Sequence, residues 1–264
     1  MLPIKIDLPE RFLEEEVRDG YTISTEMKAN WAVQMDLLAE FDRVCKEHNI
    51  EYFACGGTLL GAVRHGGYIP WDDDIDLMIT RDNYNKLCAC GPTAFTGRYF
   101  FQTEDTDPGT LRNHAQLRNS ETTGVIREEA QYKYQFNQGI FLDIFPLDNL
   151  PERGMEREKF LAKLRSRMRL AHAFALLTSR YTKTDFGGVK GKIIRVLGAI
   201  IHPIYRMIPV KNIFYAQLET CMQRYNDQQT EEIASLFVLD DRLENCIWKN
   251  ADFAGEGVEL DFEW

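Results

Sequence analysis

The spacing of hydrophobic residues predicts one long amphipathic helix near the start of the chain. Between Glu26 and Asn49, apolar side chains recur at intervals of three and four residues. They are Trp31, Met35, Leu38, Phe41, Val44 and Cys45. Side chains at this spacing share one face of a helix, so the segment should pack its apolar face on a core.

Glycine pairs divide the next segment into short elements. In chain order, the pattern predicts a strand at residues 51–55, a helix at 58–64, a strand at 74–80 and a helix at 81–90. Gly56-Gly57 end the first strand, and Gly66-Gly67 turn the chain before the second. Residues 74–80 alternate between acidic or mixed and aliphatic side chains, as a strand with one buried face does.

The remaining chain divides into a part that mixes helices with strands and a helical part. Strand patterns occur at residues 98–102, 114–118, 122–126 and 139–145, and helical patterns at 155–180, 189–207 and 210–227. The change of character follows Pro151. We therefore predict an α+β core at residues 1–150 and a mainly helical extension at residues 151–264.

The composition restricts the class of partner. The chain has 264 residues, of which 44% are hydrophobic, enough to bury a sizeable core. Its formal net charge of −10 argues against binding to a nucleic-acid backbone. Residues 151–195 are instead basic, with 12 Lys and Arg and 4 Asp and Glu. This basic segment is either a solvated helix face, which we favour, or a surface for an anionic ligand.

No segment carries a signal for export or for crossing a membrane. The first residues lack the basic start and the continuous apolar stretch of a secretory signal. Charged residues and Pro203 interrupt the most apolar late segment, which is either a packed core helix, as we favour, or an amphipathic helix on a membrane surface. Six cysteines without a metal-binding spacing fit a reducing compartment. We expect a cytoplasmic protein, with the inner face of the membrane as an alternative place of contact.

A cluster of four aspartates and one isoleucine occupies residues 72–76. Side chains two apart on a strand share a face, so Asp74 and Asp76 point to one side while Leu77 and Ile79 anchor the other. Two carboxylates about 5 Å apart repel each other by on the order of 3 kcal/mol at an effective dielectric constant of about 20. A hard cation such as Mg²⁺ or Mn²⁺ relieves this repulsion and prefers oxygen ligands. We predict that the two aspartates bind such a cation together with a phosphate group.

Two other interpretations apply to the same cluster. Asp72, Asp74 and Asp76 match the first, third and fifth positions of an EF-hand calcium loop. That loop needs glycine at the sixth position, which is Leu77 in this chain, so an EF-hand is excluded. Asp72 and Asp73 are equally compatible with a solvated acidic turn, and their role stays open.

The Gly56-Gly57 turn supplies a second component of the predicted site. At the N-terminus of the following helix, backbone N–H groups at Gly57, Thr58 and Leu59 would be free, and the helix dipole favours an anion there. A glycine turn alone is a weak signal, but beside a metal-binding pair of aspartates it predicts a phosphate cradle. Arg64 is a further candidate for phosphate binding, with a surface side chain as its alternative.

A third carboxylate is expected on a neighbouring strand, because adjacent strands lie about 4.8 Å apart. Asp143 is the candidate, since it lies among apolar residues where an unpaired charge would be costly. It would complete the metal site or accept the proton of an attacking hydroxyl group. Asp148 better fits a strand end that caps the following turn. Arg118 is a phosphate candidate on another predicted strand, with a surface salt bridge as its alternative.

Two segments of the chain resemble one protein family. They are YFACGGTLLGAVRHGGYIPWDDDIDLMITRDNYNKL, which begins at Tyr52, and the later GIFLDIFPLD. The family is the LicD family of phosphotransferases, whose distant relatives include fukutin and fukutin-related protein, and the similarity runs from about Glu26 to Pro151. It implies a nucleotidyltransferase-like fold with a mixed sheet flanked by helices. The matching positions are Gly56, Gly57 and Thr58 in the turn and Asp74, Asp76 and Asp143 at the metal.

The resemblance also implies a reaction. Family members move a phosphorylated alcohol onto a hydroxyl group of a cell-surface glycan, and phosphocholine from CDP-choline onto lipopolysaccharide or teichoic acid is the favoured case here. The helical extension would then bind the acceptor. Two alternatives stay open, namely nucleotidyl transfer with release of pyrophosphate and an inactive module that binds a CDP-alcohol. Family members tend to continue beyond a stretch like VELDFEW, so we expect a chain ending at Trp264 to be truncated or abbreviated.

A choline headgroup would favour an aromatic environment, because aromatic faces attract quaternary ammonium groups. Trp71, Tyr68 and Tyr132 are available in the sequence. The alternative for each of them is an ordinary core position, and the sequence does not favour any one of the three as a headgroup contact.

Overall fold

The structure is a computed structural model that describes residues 2–110, 112–126, 136–178, 212–255 and 257–262, with short pieces between 189 and 200. The strands within these ranges are β1 (Glu16–Arg18), β2 (Tyr21–Ile23), β3 (Phe53–Ala54), β4 (Asp76–Thr80), β5 (Tyr99–Gln102), β6 (Ala115–Asn119), β7 (Ile140–Leu150), β8 (Glu232–Ser235) and β9 (Ile247–Lys249). The helices are α1 (Thr25–His48), α2 (Gly56–His65), α3 (Arg81–Ala94), α4 (Met155–Thr178) and α5 (Ile213–Met222). Short 3₁₀ helices cover Gln223–Tyr225, Asp241–Cys246 and Asn250–Phe253.

Seven of the strands form one mixed sheet flanked by helices, as predicted. Its strand order is β3-β4-β7-β6-β5, and β8 and β9 extend it from β7. Only the β4–β7 pair is parallel among the strand pairs of the described residues. The first half of β7 pairs with β6 and its second half with β8. This strand of 11 residues therefore connects the earlier strands of the sheet to the strands that follow α5.

Most predicted elements are present, with three differences. Residues 122–126 form no strand, because the Thr122 hydroxyl accepts from the Ile140 N–H (2.8 Å) where a ladder bond would lie. β4 begins at Asp76, so Asp74 precedes the strand on which it was predicted. The hairpin β1–β2 and the strands β8 and β9 were not predicted. The boundary at residue 150 stays a prediction, although the region beyond it supplies two strands as well as helices.

The predicted helix at residues 189–207 lies largely outside the described residues. Tyr132 lies outside them too. No helix in the described ranges is both long and apolar enough to cross a bilayer.

The two faces of the sheet differ in what covers them. The long predicted helix α1 packs on one face, where Leu77 and Ile144 share a buried cluster with Trp31. The opposite face carries a smaller cluster, which includes Met78, Phe145, Leu147, Ile233 and, partly buried, Phe53, Phe237, Trp248 and Phe253. Because side chains alternate along a strand, Asp76 and Asp143 lie on this second face.

A buried ion pair fixes the second half of β7. Asp148 is fully buried and accepts from Arg81 Nε (2.7 Å) and Nη2 (2.6 Å) at its two oxygens. Asn226 donates to the same carboxylate (2.7 Å), and Arg81 also contacts Glu219 (3.0 Å). The prediction that Asp148 caps a turn is therefore wrong. Asp148 lies inside a strand, and its charge is neutralised by the first residue of α3.

Replacing Asp148 tests this pair. Asp148→Asn should lower the free energy of unfolding by about 3–5 kcal/mol, because it removes the carboxylate that binds the buried Arg81 through both oxygens and leaves the single contact with Glu219 to offset the charge. Urea unfolding followed by circular dichroism measures the change. Asp240→Asn, at the exposed pair with Arg242, is the matched control and should have a much smaller effect. Equal effects of the two substitutions would contradict the prediction.

Candidate active site

Helix α2 starts directly at the glycine pair. Gly56 has a φ of +53°, in the left-handed region that glycine adopts without strain. No side chain caps the helix, and the Leu59 N–H already donates to Cys55 O (3.1 Å). The amides without a partner inside the helix are therefore those of Gly56, Gly57 and Thr58. The sequence analysis predicted free N–H groups at Gly57, Thr58 and Leu59, so the predicted set was shifted by one residue.

Helix α1 holds the acidic loop that precedes β4. Trp31 Nε1 donates to the carbonyl oxygen of Asp72 (2.8 Å). Asn30 Nδ2 (2.7 Å) and Gln34 Nε2 (3.0 Å) donate to that of Asp73. These three side chains satisfy backbone groups that a loop would otherwise offer to water. Hydrogen bonds from α1 to the backbone carbonyl groups of Asp72 and Asp73 therefore fix the loop.

The carboxylates of this region pack against the glycine turn. A Cβ atom at Gly57 would lie 2.0 Å from Asp72 Oδ2, and one at Gly56 would lie 3.4 Å from Asp76 Oδ2. The Thr58 hydroxyl accepts from the Asp76 N–H (2.8 Å). The structure therefore brings together all three predicted turn residues and two of the aspartates. Glycine at position 57 is required for this close approach.

The predicted acidic residues meet at one end of the sheet. Asp76 and Asp143 are direct neighbours in register on the parallel strands β4 and β7. Carboxylate oxygens of Asp72, Asp73 and Asp74 lie within 4.8 Å of one another, a group that shares Asp74 with the three predicted metal ligands. Asp143 is close enough to both Asp74 and Asp76 to raise their pKa values.

Burial and mutual repulsion shift the pKa values of the aspartates in this cluster. Burial, reinforced by Asp72, raises the pKa of Asp74 to about 6. Burial, reinforced by Asp74 and Asp143, raises the pKa of Asp76 to about 8. The charges that act on these two groups are all carboxylates. A cluster of oxygen ligands whose charge is not neutralised by a neighbouring basic side chain fits a hard divalent cation.

Asp143 behaves differently from its neighbours. Burial acts to raise its pKa, but His114 and Gln116 outweigh burial and hold the pKa below its ordinary value. Both side chains bind the same oxygen, Oδ1, with His114 Nε2 at 3.0 Å and Gln116 Nε2 at 2.6 Å. Sequence reasoning missed these two residues, because only the register of β6 on β7 places Gln116 opposite Asp143.

Two predicted phosphate ligands are not brought to the glycine turn. Arg64 is exposed in the last turn of α2, about 10 Å along the helix axis from Gly57. Arg118 is buried, donates to Gln102, Gly139 O and Gln116, and lies 4.5 Å from the ring centroid of Phe141. The alternative prediction for Arg118, a surface salt bridge, is wrong because the side chain is buried. Within the described residues, Gln116 links Arg118 to Asp143, since it accepts from Arg118 and donates to the carboxylate.

Two of the three aromatic residues considered for a headgroup, Tyr68 and Trp71, lie within the described residues and pack against different rings. Tyr68 is buried, stacks on Trp31 at 4.6 Å and donates to Gln34. It is therefore a core residue, the alternative that the sequence left open. Trp71 is 52% exposed and packs edge-on against Tyr21.

A glycine turn that opens a helix beside aspartates on adjacent strands of a mixed sheet defines a nucleotidyltransferase-like domain. The sequence profile described as "LicD/FKTN/FKRP, nucleotidyltransferase domain" matches residues 49–190, and the chain therefore belongs to this family. The predicted family and the predicted fold class are both confirmed.

Several known proteins are similar to parts of the chain. The lipopolysaccharide cholinephosphotransferase LicD of Haemophilus influenzae is 27% identical over 176 residues, which cover 62% of this chain and 59% of the relative. Human ribitol 5-phosphate transferase FKRP is 53% identical over 36 residues, 14% of this chain and 7% of the relative. An uncharacterised protein of Rickettsia prowazekii is 45% identical over 47 residues, 18% of each chain. The chain thus spans less than two thirds of each of these relatives.

The close approach of Asp72 to the glycine turn can be tested by adding one methyl group. Gly57→Ala should displace the Asp72 carboxylate, a flexible group, and weaken Mn²⁺ binding by about tenfold while the fold is retained. Isothermal titration measures the affinity. Gly257→Ala is the control, because a Cβ there meets nothing within 4 Å. Unchanged Mn²⁺ affinity in Gly57→Ala would show that the contact between Asp72 and the glycine turn does not support the metal site.

The raised pKa values predict how stability depends on pH without metal. The folded pKa values of Asp74 and Asp76, about 6 and about 8, lie above the ordinary value of 3.8. The folded state therefore favours the protonated forms, and this contribution to stability is complete below about pH 4 and is lost as the pH rises through these values. In EDTA, the free energy of unfolding should fall from pH 5 to pH 8.5.

A substitution at one of these aspartates isolates the effect. At pH 8.5 in EDTA, Asp76→Asn should raise the free energy of unfolding by about 1–3 kcal/mol, after allowing for screening by solvent. It should also flatten the dependence on pH. Urea titrations across the pH range measure both quantities. An identical pH dependence in the variant and the unsubstituted protein would be inconsistent with the proposed repulsion.

Proposed function

We propose that the chain is a divalent-metal-dependent phosphotransferase that moves a phosphorylated alcohol from a CDP-alcohol donor to a hydroxyl group of a cell-surface glycan. The observation that carries this proposal is the register of Asp76 and Asp143 on adjacent parallel strands, facing the uncapped start of α2. One side of such a site suits a cation and the other suits phosphate oxygens. The similarity to a cholinephosphotransferase supports the same class of reaction.

The acidic residues and the glycine turn would have complementary roles. Asp74, Asp76 and Asp143 would hold Mg²⁺ or Mn²⁺, which neutralises charge on a bound diphosphate. The amides of Gly56, Gly57 and Thr58 would donate to phosphate oxygens, with the dipole of α2 behind them. The absence of side chains at the two glycines lets the carboxylates of Asp72 and Asp76 approach the turn, so a cation held by the acidic residues would lie beside the bound phosphate.

The reaction would be an in-line displacement at the phosphorus that carries the alcohol. The glycan hydroxyl would attack this phosphorus and lose its proton to solvent, while the bond to the bridging oxygen of cytidine monophosphate breaks and cytidine monophosphate leaves. The lowered pKa of Asp143 favours its role as a ligand over that of a general base, because an efficient base has a pKa near the working pH. The chain's part in this step is positioning and charge stabilisation.

Phosphocholine is the favoured group to be transferred. Among the relatives described above, the one with the longest alignment is named a lipopolysaccharide cholinephosphotransferase, which supports phosphocholine as the transferred group and lipopolysaccharide as the acceptor class. CDP-choline is the donor that we propose for this group. Ribitol phosphate is a second candidate, supported by the short but closer similarity to ribitol 5-phosphate transferase. Both groups would use the same metal and the same phosphate cradle.

Release of cytidine monophosphate tests the proposal. With Mg²⁺, CDP-choline and an acceptor glycan, the chain should release it, and Asp76→Asn should lower the rate by about 100-fold or more. Asp82→Asn, at an exposed aspartate in the first turn of α3, is the matched control and should retain activity. Repeating the assay with CDP-ribitol distinguishes the two donors.

The two rival functions give different results in the same assay. Activity only with a nucleoside triphosphate, accompanied by pyrophosphate release, would identify a nucleotidyltransferase. Tight, Mg²⁺-dependent binding of a CDP-alcohol without turnover on any glycan would identify a binding module. Either result would overturn the proposed transfer of a phosphorylated alcohol.

A further inference from the structure

A row of polar residues crosses four strands of the sheet and ends at the candidate metal site. Asp76 on β4 is opposite Asp143 on β7, which is opposite Gln116 on β6, which is opposite Gln102 on β5. Gln116 is 2% exposed and Gln102 is 1% exposed. Buried amides are costly unless they are hydrogen-bonded, so the arrangement of this row needs a physical reason.

Both side chains that bind Asp143 donate a hydrogen bond to the same carboxylate oxygen. Gln116 Nε2 and His114 Nε2 each donate to Oδ1, since a carboxylate oxygen only accepts. In the described part of the chain, no hydrogen bond to the other oxygen, Oδ2, is present. One oxygen is thus held from the β6 side, and the second is left as a ligand atom.

The direction of the Gln116 amide is determined by two guanidinium groups. Its Oε1 accepts from Arg118 Nη2 and from Arg112 Nε (3.0 Å). A flipped amide would set its NH₂ group against these donors and would turn an acceptor toward Asp143. Only one orientation satisfies all three neighbours, so Arg118 and Arg112 ensure that Gln116 presents a donor to the carboxylate.

The His114 ring is fixed by packing. It lies 4.6 Å from the ring centroid of Phe145 and 6.0 Å from that of Phe237. Its Nδ1 is buried and has no hydrogen-bond partner among the described residues, which leaves Nε2 as the polar contact of the ring. Aromatic packing, rather than a second hydrogen bond, aims the ring at Asp143.

We infer that Gln116 and His114 are positioning residues for the metal site: they hold Oδ1 of Asp143 and so keep Oδ2 available as a metal ligand. Arg118 acts behind them by fixing the Gln116 amide. This inference rests on the proposed metal-dependent function, because positioning of Asp143 matters only if Asp143 binds a cation. It gives Arg118, which the sequence indicated as a phosphate ligand, a role without contact to the substrate.

The expected consequence is a loss of metal affinity without loss of the fold. A carboxylate with neither donor is free to rotate. Ordering it on metal binding then costs conformational entropy and weakens the affinity for the metal. Partners that orient metal ligands in this way typically contribute about 10- to 100-fold to affinity or activity. The same fold-change should appear in the Mn²⁺ concentration that half-activates the enzyme, with kcat largely restored at saturating Mn²⁺.

Two substitutions remove the donors while keeping the side-chain volume. Gln116→Met deletes the amide, and His114→Phe deletes Nε2 but retains an aromatic ring beside Phe145. Mn²⁺ binding to the full chain, followed by electron paramagnetic resonance without donor or acceptor, should weaken about 10-fold or more in each variant. Circular dichroism and urea unfolding identify variants that fold, and either one alone is sufficient for the test.

Asn119→Leu is the matched control. Asn119 lies on the same strand as Gln116, is fully buried and donates its amide to Pro3 O (2.8 Å), away from Asp143. Its substitution should lower stability and leave Mn²⁺ affinity unchanged. Unchanged affinity in folded Gln116→Met and His114→Phe, or an equal loss in Asn119→Leu, would overturn the inference. Absence of Mn²⁺ binding by the unsubstituted chain would instead overturn the proposed metal-dependent function, and the inference with it.

Discussion

The repulsion among carboxylates at one end of the sheet is the constraint on which the rest of the site depends. Asp74 and Asp76 are partly removed from water and lie close to other carboxylates, so their pKa values rise. The fold opposes this cost by fixing the loop through its backbone, with donors from α1, and by placing His114 against Asp143, whereas the charges that shift the pKa values of Asp74 and Asp76 are those of other carboxylates. The acidic groups therefore keep their charge available for a cation, and the amides of α2 remain available for a phosphate.

The sequence was sufficient to predict the parts of the site that depend on local pattern. The glycine pair predicted the start of α2 to within two residues, and the alternation after Asp76 predicted β4, although Leu77, Met78 and Ile79 are all buried and both faces of the strand are covered. Asp143 could be chosen because a charge within an apolar strand needs a partner. These predictions depend on interactions between residues that are close in the chain or on the general spacing of strands.

The parts that could not be predicted depend on register and on distant segments. Gln116 is a neutral residue in an ordinary strand, and only its pairing with Asp143 gives it a role. Arg118 was assigned to a phosphate because sequence gives no information about the buried acceptors at Gln102 and Gly139. β8 was missed because four residues with little alternation become a strand only when the long β7 offers a free edge.

The length of β7 has a consequence for how this protein could be divided or recombined. One uninterrupted backbone carries Asp143 near its start and the pairing edge for β8 near its end. A fragment that stopped after Leu150 would leave the edge of residues 147–150 bare, and exposed strand edges recruit other chains into aggregates. The part of the chain that carries the acidic cluster and the C-terminal part are therefore poor candidates for independent exchange, and natural or engineered chimaeras should join partners at the loops outside this strand.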